Sequence, residues 1–531
     1  MLHLLLIAIV LTPYAGAALR EAMPLGGPAA VALGLGVLAL PLGYAAAARR
    51  VARRLGQPGA ARRVRRLERF NTLYLVAILL WLAAAIAAGW LETIRGVLGD
   101  GVWIDEAVAT LPALALLFVQ WWAYYPVDRR LRESALIRRL DAGGPVYALP
   151  SRGRYLLHQC RHHLALVLGP IWPLLAWSEW ISRLAGEAGG AAVLSPVAAT
   201  GLTVAGGLTV FLLAPLLVVR LWDTQPLPAG EVRRVLAGMC ETAGVRVREL
   251  LVWRSDGGLV NAAVMGLVAP VRYVLLSDGL LDQVERPHVE AVMAHELGHV
   301  KKKHMPTLAI AAIGSLGLVE VGAWTAFDLL EPVTTRAGVA ETATTTGIVV
   351  VAVMAWVALF GWVSRRIERE ADVFAVRTVA RQHAWEAAER REAQDEADSV
   401  TPGVTSPARR AHDQPTPRAA PSVITAAAAG QMIDALGRVA ELARIDPGRR
   451  SWRHGSIAWR QAHLASLVGR PLDRLPIDRT MAVIRVAAVL ALAATLALIL
   501  LPVPPPPPRP HTPPPPPPFS SLLSPPPPPP P

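Results

Sequence analysis

The segment from Val289 to Val300 contains His295-Glu296-Leu297-Gly298-His299, two histidines four residues apart with a glutamate beside the first. Val289, Val292, Met293 and Val300 recur at helical spacing, which predicts a helix with one buried face. On such a helix both imidazoles lie one turn apart and point the same way. Two rings so placed can share one Zn²⁺ at about 2.0–2.1 Å each. Glu296 then flanks a metal-activated water without ligating the ion, the position a general base needs for hydrolysis.

A hydrolytic zinc site needs a third protein ligand and one open position for water. Glu368 is the candidate, in Ser364-Arg365-Arg366-Ile367-Glu368-Arg369-Glu370-Ala371-Asp372. Asp372, one helical turn further on, can accept a hydrogen bond from the second nitrogen of a liganding imidazole, fixing the ring and raising its basicity. His304 falls five residues after His299, off the face that would meet the metal, and is expected at the surface near a span boundary. The cofactor expectation is one Zn²⁺ per chain, held by His295, His299 and Glu368.

The elements that must bring these residues together lie in a chain that is 53% hydrophobic, too apolar for a set of soluble domains of 531 residues. About nine stretches are long and apolar enough to cross a bilayer core. They run Leu2 to Ala18, Pro24 to Ala48, Phe70 to Trp90, Ala107 to Tyr125, Leu164 to Ile181, Val197 to Val219, Met305 to Phe327, Gly347 to Val363 and Met481 to Val503. The first reads either as a span or as a cleaved signal peptide, since Ala15-Gly16-Ala17 follows a Leu-Ile core that lacks preceding basic residues. Nine arginines between Arg49 and Arg69 stand against Glu68 alone, which predicts that this loop is cytoplasmic. Alternation from there places Trp222 to His304 and Ser364 to Thr480 on the cytoplasmic face. Two spans separate His299 from Glu368, so both segments emerge on one side of the membrane, as a shared metal demands.

The layout that follows is an N-terminal multi-span region 1–221, catalytic segment 222–304, transmembrane hairpin 305–363, catalytic segment 364–480, last span 481–503 and tail 504–531. Residues 381–421 pass from a charged, helix-favouring run into Pro, Thr, Ser and Arg, and are expected to form a mobile insertion. The tail is nearly all proline and is expected to be extended, as a spacer or as a docking segment for an unknown partner. The net charge of +13 is carried by arginine apart from Lys301, Lys302 and Lys303. No basic run is interleaved with aromatics, so nucleic acid is not an expected partner. Cys160 and Cys240 are far apart and outside any CxxC pattern, which points to neither a disulfide framework nor a thiolate site. Trp121, Trp122, Tyr124 and Tyr125 read as an interfacial belt. Glu179 and Glu320, within apolar stretches, are expected either at an interior cavity or at the interface.

The pairing of HELGH with SRxxExxAD resembles the membrane-embedded zinc peptidases of the HtpX and CAAX prenyl protease type. That resemblance implies the same roles for His295, His299, Glu296 and Glu368, and spans roughly Trp222 to Leu467 apart from the insertion. Asn261-Ala262, the alternating Val264, Gly266 and Val268, and Tyr273 to Leu281 are similar to the family's strand pair ahead of the active helix. Its edge strand would pair with extended substrate backbone, which makes Asn261 and Ala262 substrate-binding candidates. His454-Gly455-Ser456-Ile457 with Arg460 looks like the family's HPS segment, which implies an oxyanion-stabilising role for His454 or Arg460; Gly455 stands where proline is usual. The implied fold is mainly α, a polytopic membrane protein of about eight or nine transmembrane helices with a cytoplasmic zinc metallopeptidase domain that contains a small β-sheet. Protein or peptide substrates, a lipid bilayer around the spans and a bacterial plasma membrane location follow from the same resemblance.

Other readings use the same residues differently. An intramembrane protease would bury HExxH in an apolar span, whereas Glu290, Glu296 and Lys301 to Lys303 crowd this helix with charge. A signalling metallopeptidase would need an extracellular sensor domain. A non-enzymatic receptor or scaffold with a degenerate zinc site would have no need of the full residue set found here. Quality control of membrane proteins and processing of prenylated peptides both remain open as the role of an active enzyme.

Overall fold

The computed structural model describes residues 2–16, 19–20, 27–141, 143, 146–186, 192–336, 341–399 and 422–500. The proline tail and the stretch 400–421 lie outside the described residues. Among those described, seven helices are long and apolar enough to cross a membrane. The described residues divide into two compact units, one drawn from 1–308 and 360–482 and the other from 309–359 and the described residues after 482.

Among the described residues, the secondary structure of the N-terminal part of the first unit is all helical. It comprises α1 (Leu2–Leu11), α2 (Gly27–Arg53), α3 (Ala60–Ala87), α4 (Trp90–Leu98), α5 (Ile104–Asp141), α6 (Arg152–Gln159), α7 (Ala165–Leu184) and α8 (Pro196–Leu221). Here the first expected span is corrected. α1 has ten residues, about 15 Å of helix, roughly half the hydrocarbon thickness. Pro13 follows in a 3₁₀ turn, and Leu6, Ile9 and Val10 bury themselves in the core of this bundle instead of facing lipid. The aromatic belt is corrected as well: Trp121 and Tyr125 are core residues, while Trp122 is 40% exposed. Tyr125 is held there by donating its hydroxyl to the Pro150 carbonyl at 2.9 Å. Glu179 accepts from the Trp103 amide at 2.7 Å and pairs with Arg183 at 2.6 Å, so its charge is met by protein groups.

Beyond α8 the chain builds a four-stranded sheet from β1 (Thr224–Pro226), β2 (Glu249–Trp253), β3 (Ala262–Met265) and β4 (Tyr273–Ser277), in the order β1-β2-β4-β3. α9 (Glu231–Thr242) separates β1 from β2. β4 pairs parallel with β2 and antiparallel with β3, and every one of its five residues is buried, as the apolar run Tyr273-Val274-Leu275-Leu276 requires. β3 is therefore an edge strand, as the resemblance implied. Ser277 caps the short helix α10 (Asp278–Gln283) by accepting from the Leu280 amide, and its hydroxyl also accepts from the Asn261 amide at 2.9 Å. That contact fixes the entry into β3.

The helix α11 (Arg286–Lys301) carries HExxH and has Pro287 in its first turn, where the missing amide costs nothing. It is followed by α12 (His304–Arg336), α13 (Glu341–Ser399), α14 (Ala426–Leu442), α15 (Ile457–Ala465) and α16 (Pro476–Leu500). α13 corrects the start of the expected insertion. It runs unbroken for 59 residues, through 381–399. Gln382 donates to Glu290 at 2.9 Å and His383 meets Gln431 at 2.9 Å, so the start of this stretch is tied to α11 and α14, and the rest follows its intrinsic helical preference.

Candidate metal centre

α11 and α13 approach closely because each offers a small residue at the crossing. A Cβ added at Gly298 would lie 3.1 Å from the Phe374 ring and 3.3 Å from the Ala371 Cα. Gly298 of HELGH and Ala371 of ExxAD thus set the separation at which Glu368 reaches the histidines. The result is a converging set: ligand atoms of His295, His299 and Glu368 all lie within 4.8 Å of one another. The two Nε2 atoms are 3.2 Å apart, and His295 Nε2 is 3.7 Å from Glu368 Oε2. All three line one cavity of about 410 Å³, together with Glu296, Asn261, Ala262, His304, His454 and Arg460. Every residue that the sequence assigned to the site therefore borders this cavity except Asp372, which lies behind it.

Asp372 is fully buried, and its Oδ1 lies 2.9 Å from His295 Nδ1. A carboxylate only accepts, so His295 carries its proton on Nδ1 and turns a bare Nε2 lone pair into the cavity. Burial works against protonation of His295, but the Asp372 carboxylate at that distance overcomes it and raises its pKa. Arg460 in turn holds Asp372 through a two-pronged contact, Nε at 2.8 Å and Nη2 at 2.5 Å. Its Nη1 lies 3.4 Å from Glu368 Oε2, so one guanidinium braces both acidic members of the site.

His299 is backed differently, by a residue the sequence placed elsewhere. His304 is not a surface residue: it is 2% exposed, its Nδ1 lies 3.0 Å from His299 Nδ1, and its Nε2 lies 2.9 Å from Glu370 Oε2. With Glu370 accepting from Nε2–H, His304 Nδ1 accepts from His299 Nδ1–H, and His299 Nε2 is left bare toward the cavity. The reason for the misplacement is local. α11 ends at Lys301, and Lys303 adopts φ +53°, a left-handed turn that swings His304 back under the rings. Burial pushes the His299 pKa down to about 3, which keeps the ring neutral and able to ligate.

Glu296 lies beside this set and lines the same cavity. Burial pushes its carboxyl up to about 7, with the nearby His295 opposing. His454 is half exposed, and its Nδ1 lies 2.8 Å from Glu368 Oε1. Gly455, where the family pattern has proline, adopts φ +74°, which proline cannot. Ser456 then caps α15 by accepting from the Trp459 amide at 3.2 Å, and this start of the helix aims Arg460 inward. The turn differs from the family pattern, yet both of its side chains reach Glu368.

Residues 226–399 match the model described as peptidase family M48. This range contains the three converging residues, Glu296 and Asp372; His454 and Arg460 lie beyond it. A protein described as a Protease HtpX homolog, from Desulfotalea psychrophila, is 33% identical over 75 residues, 14% of this chain and 25% of that protein. The chain thus spans about a quarter of the length of the curated relative it matches. The crystal structure of S. mikatae Ste24p aligns at 13% identity with a TM-score of 0.43, over 83% of this chain and 99% of that one. The family model and the curated relative agree with the resemblance to the HtpX and CAAX prenyl protease type read from the two motifs.

Proposed function

We propose, from the premise that this integral membrane protein carries a peptidase segment of family M48, that it is a zinc-dependent endopeptidase acting on protein or peptide substrates at the membrane. The observation that carries this reading is the convergence of His295, His299 and Glu368 within 4.8 Å, with Glu296 in the same cavity. The donor set fits Zn²⁺: two imidazoles whose Nε2 atoms face the cavity and one carboxylate would leave a fourth position open. When bound, Zn²⁺ lowers the pKa of water and polarises a carbonyl.

The chain's own residues supply the rest. Glu296 accepts the proton of the attacking water and delivers it to the leaving amine. β3, which starts at Ala262 just after Asn261, offers its free edge to an extended substrate backbone, and Ala262 and Asn261 line the same cavity as Glu296. His454, half exposed at the cavity wall, is the donor for the developing oxyanion. Arg460 is committed to Asp372 and acts as a positioning residue. Processing or quality control of membrane proteins is the role that suits a site one short turn from a membrane-length helix.

The test is made on purified full-length protein. Glu296→Gln should lower peptide cleavage about 10²–10⁴-fold with zinc still bound, whereas His295→Ala should lose the metal. Undiminished cleavage by Glu296→Gln would overturn the assignment.

A further inference from the structure

A second cavity, of about 720 Å³, adjoins the metal centre; His299 and Met305 line both. One wall is membrane helix, with Leu166 from α7 and Phe211, Pro215 and Val218 from α8. The opposite wall is β3 and the turn after it, and the floor is the α11 to α12 connection, where the chain enters its next membrane-length helix. No carboxylate lines this cavity, but three cations do: Arg272, Lys301 and Lys303.

The charge distribution is particular. Lys301, Lys302 and Lys303 are the only lysines in the sequence. Lys302 turns away, 3.8 Å from Glu370, while Lys301 and Lys303 are exposed along the cavity. Arg272 gives three of its five N–H donors to main-chain carbonyls, those of Gly266, Leu267 and Arg246, and among the described residues it makes no ion pair with an acid. Burial and the neighbouring Arg246 push its pKa down, the mark of a cation with no counter-charge. An apolar wall of membrane helix beside a cationic, acid-free rim is complementary to a molecule with an apolar tail and an anionic head.

We propose that this cavity binds one anionic phospholipid, its phosphate between Lys301, Lys303 and Arg272 and its acyl chains against α7 and α8. The cations proposed to hold the phosphate are not metal ligands, and the proposal does not rest on the peptidase reading, since lipid binding needs neither zinc nor cleavage. Because the cavity shares His299 with the metal centre and is walled by the β3 edge, the lipid borders the path by which an extended substrate would reach the metal.

The test uses the full chain in phosphatidylcholine nanodiscs with and without phosphatidylglycerol, with retained lipid counted by native mass spectrometry. Wild type should retain one phosphatidylglycerol in preference to phosphatidylcholine. The pair Lys301→Gln with Lys303→Gln should reduce that preference about tenfold or more, and Lys301→Arg with Lys303→Arg should restore it, which separates lost charge from misfolding. Equal retention by wild type and the glutamine pair would overturn the proposal. So would displacement of the lipid by free glycerol 3-phosphate at matched concentration, which would make this a soluble-anion site. Lysine-dependent cleavage of an acidic peptide in phosphatidylcholine alone would overturn it too, by assigning the cavity to substrate.

Discussion

His295 and His299 leave one helix a turn apart, yet the groups behind them are of different kinds. Behind His295 stands a buried ion pair, Asp372 with Arg460, in which full charges face each other at 2.5–2.8 Å. Behind His299 stands a second imidazole, His304, with a carboxylate one step further out at 2.9 Å. Both arrangements do the same local work: each leaves a protonated Nδ1 and a bare Nε2. They differ in what happens when a member is lost. A buried ion pair that loses one partner leaves an uncompensated charge, whereas an imidazole relay that loses its outer carboxylate leaves a neutral ring able to turn or switch tautomer.

That asymmetry sets the order of expected effects. The largest is for Arg460→Ala, which strands Asp372 at zero exposure. It should cost about 3–5 kcal/mol, read as a fall in thermal unfolding temperature in detergent, and should be recovered only in part by Arg460→Lys, which cannot make the two-pronged contact. A loss no greater than that of a surface arginine would break the comparison at its charged side. Next comes Asp372→Asn, for which zinc affinity by competition with a chromophoric chelator should fall about 100-fold, the upper end for an outer partner of a metal-bound histidine. Glu370→Gln should reduce the same affinity about tenfold, the lower end. Equal losses in the two variants would mean that the relay holds His299 as firmly as the ion pair holds His295.

How much of this was readable beforehand follows the range of the interactions. HExxH and ExxAD declare themselves because helix periodicity converts a four-residue spacing into a shared face, and Asp372 follows from the same rule. The convergence of the two motifs was legible from the count of spans between them. His304 was not, because its placement depends on a left-handed residue, Lys303, that ends one helix and starts the next; extrapolating α11 by five residues sends it to the wrong side. The role of Gly298 and Ala371 as the contact between two helices also needs three dimensions, since the neighbour that makes a Cβ costly is 73 residues away in sequence from Gly298 at Ala371. In the N-terminal region the apolar run from Leu2 suggested a span, but composition does not report that the helix stops at Leu11 and packs inward. Residues 381–399 were read correctly as helix-favouring, and what was missed is that Glu290 and Gln431 anchor them.

The smallest effect, and the one that separates the two backings most cleanly, is in the pH at which zinc leaves. Protons compete with metal for a ligand nitrogen below that ligand's own pKa. For His299 this competition is remote, because burial has lowered its pKa to about 3. For His295 it is near, because Asp372 raises the pKa against the pull of burial. Acid release in wild type should therefore follow one proton, taken up at His295. Replacing Asp372 by asparagine removes the larger raising charge and leaves burial and Arg460, which lower the His295 pKa, against the smaller raising influence of Glu368. The variant should bind zinc more weakly at neutral pH and yet begin to lose affinity only at a lower pH than wild type. Glu370→Gln should leave the onset where it is, because His295 remains the proton acceptor. Titrating zinc affinity from pH 8 downward in the three proteins checks both statements, and an onset that moves with Glu370 instead of Asp372 would reverse the assignment of which ring is the acid-sensitive one.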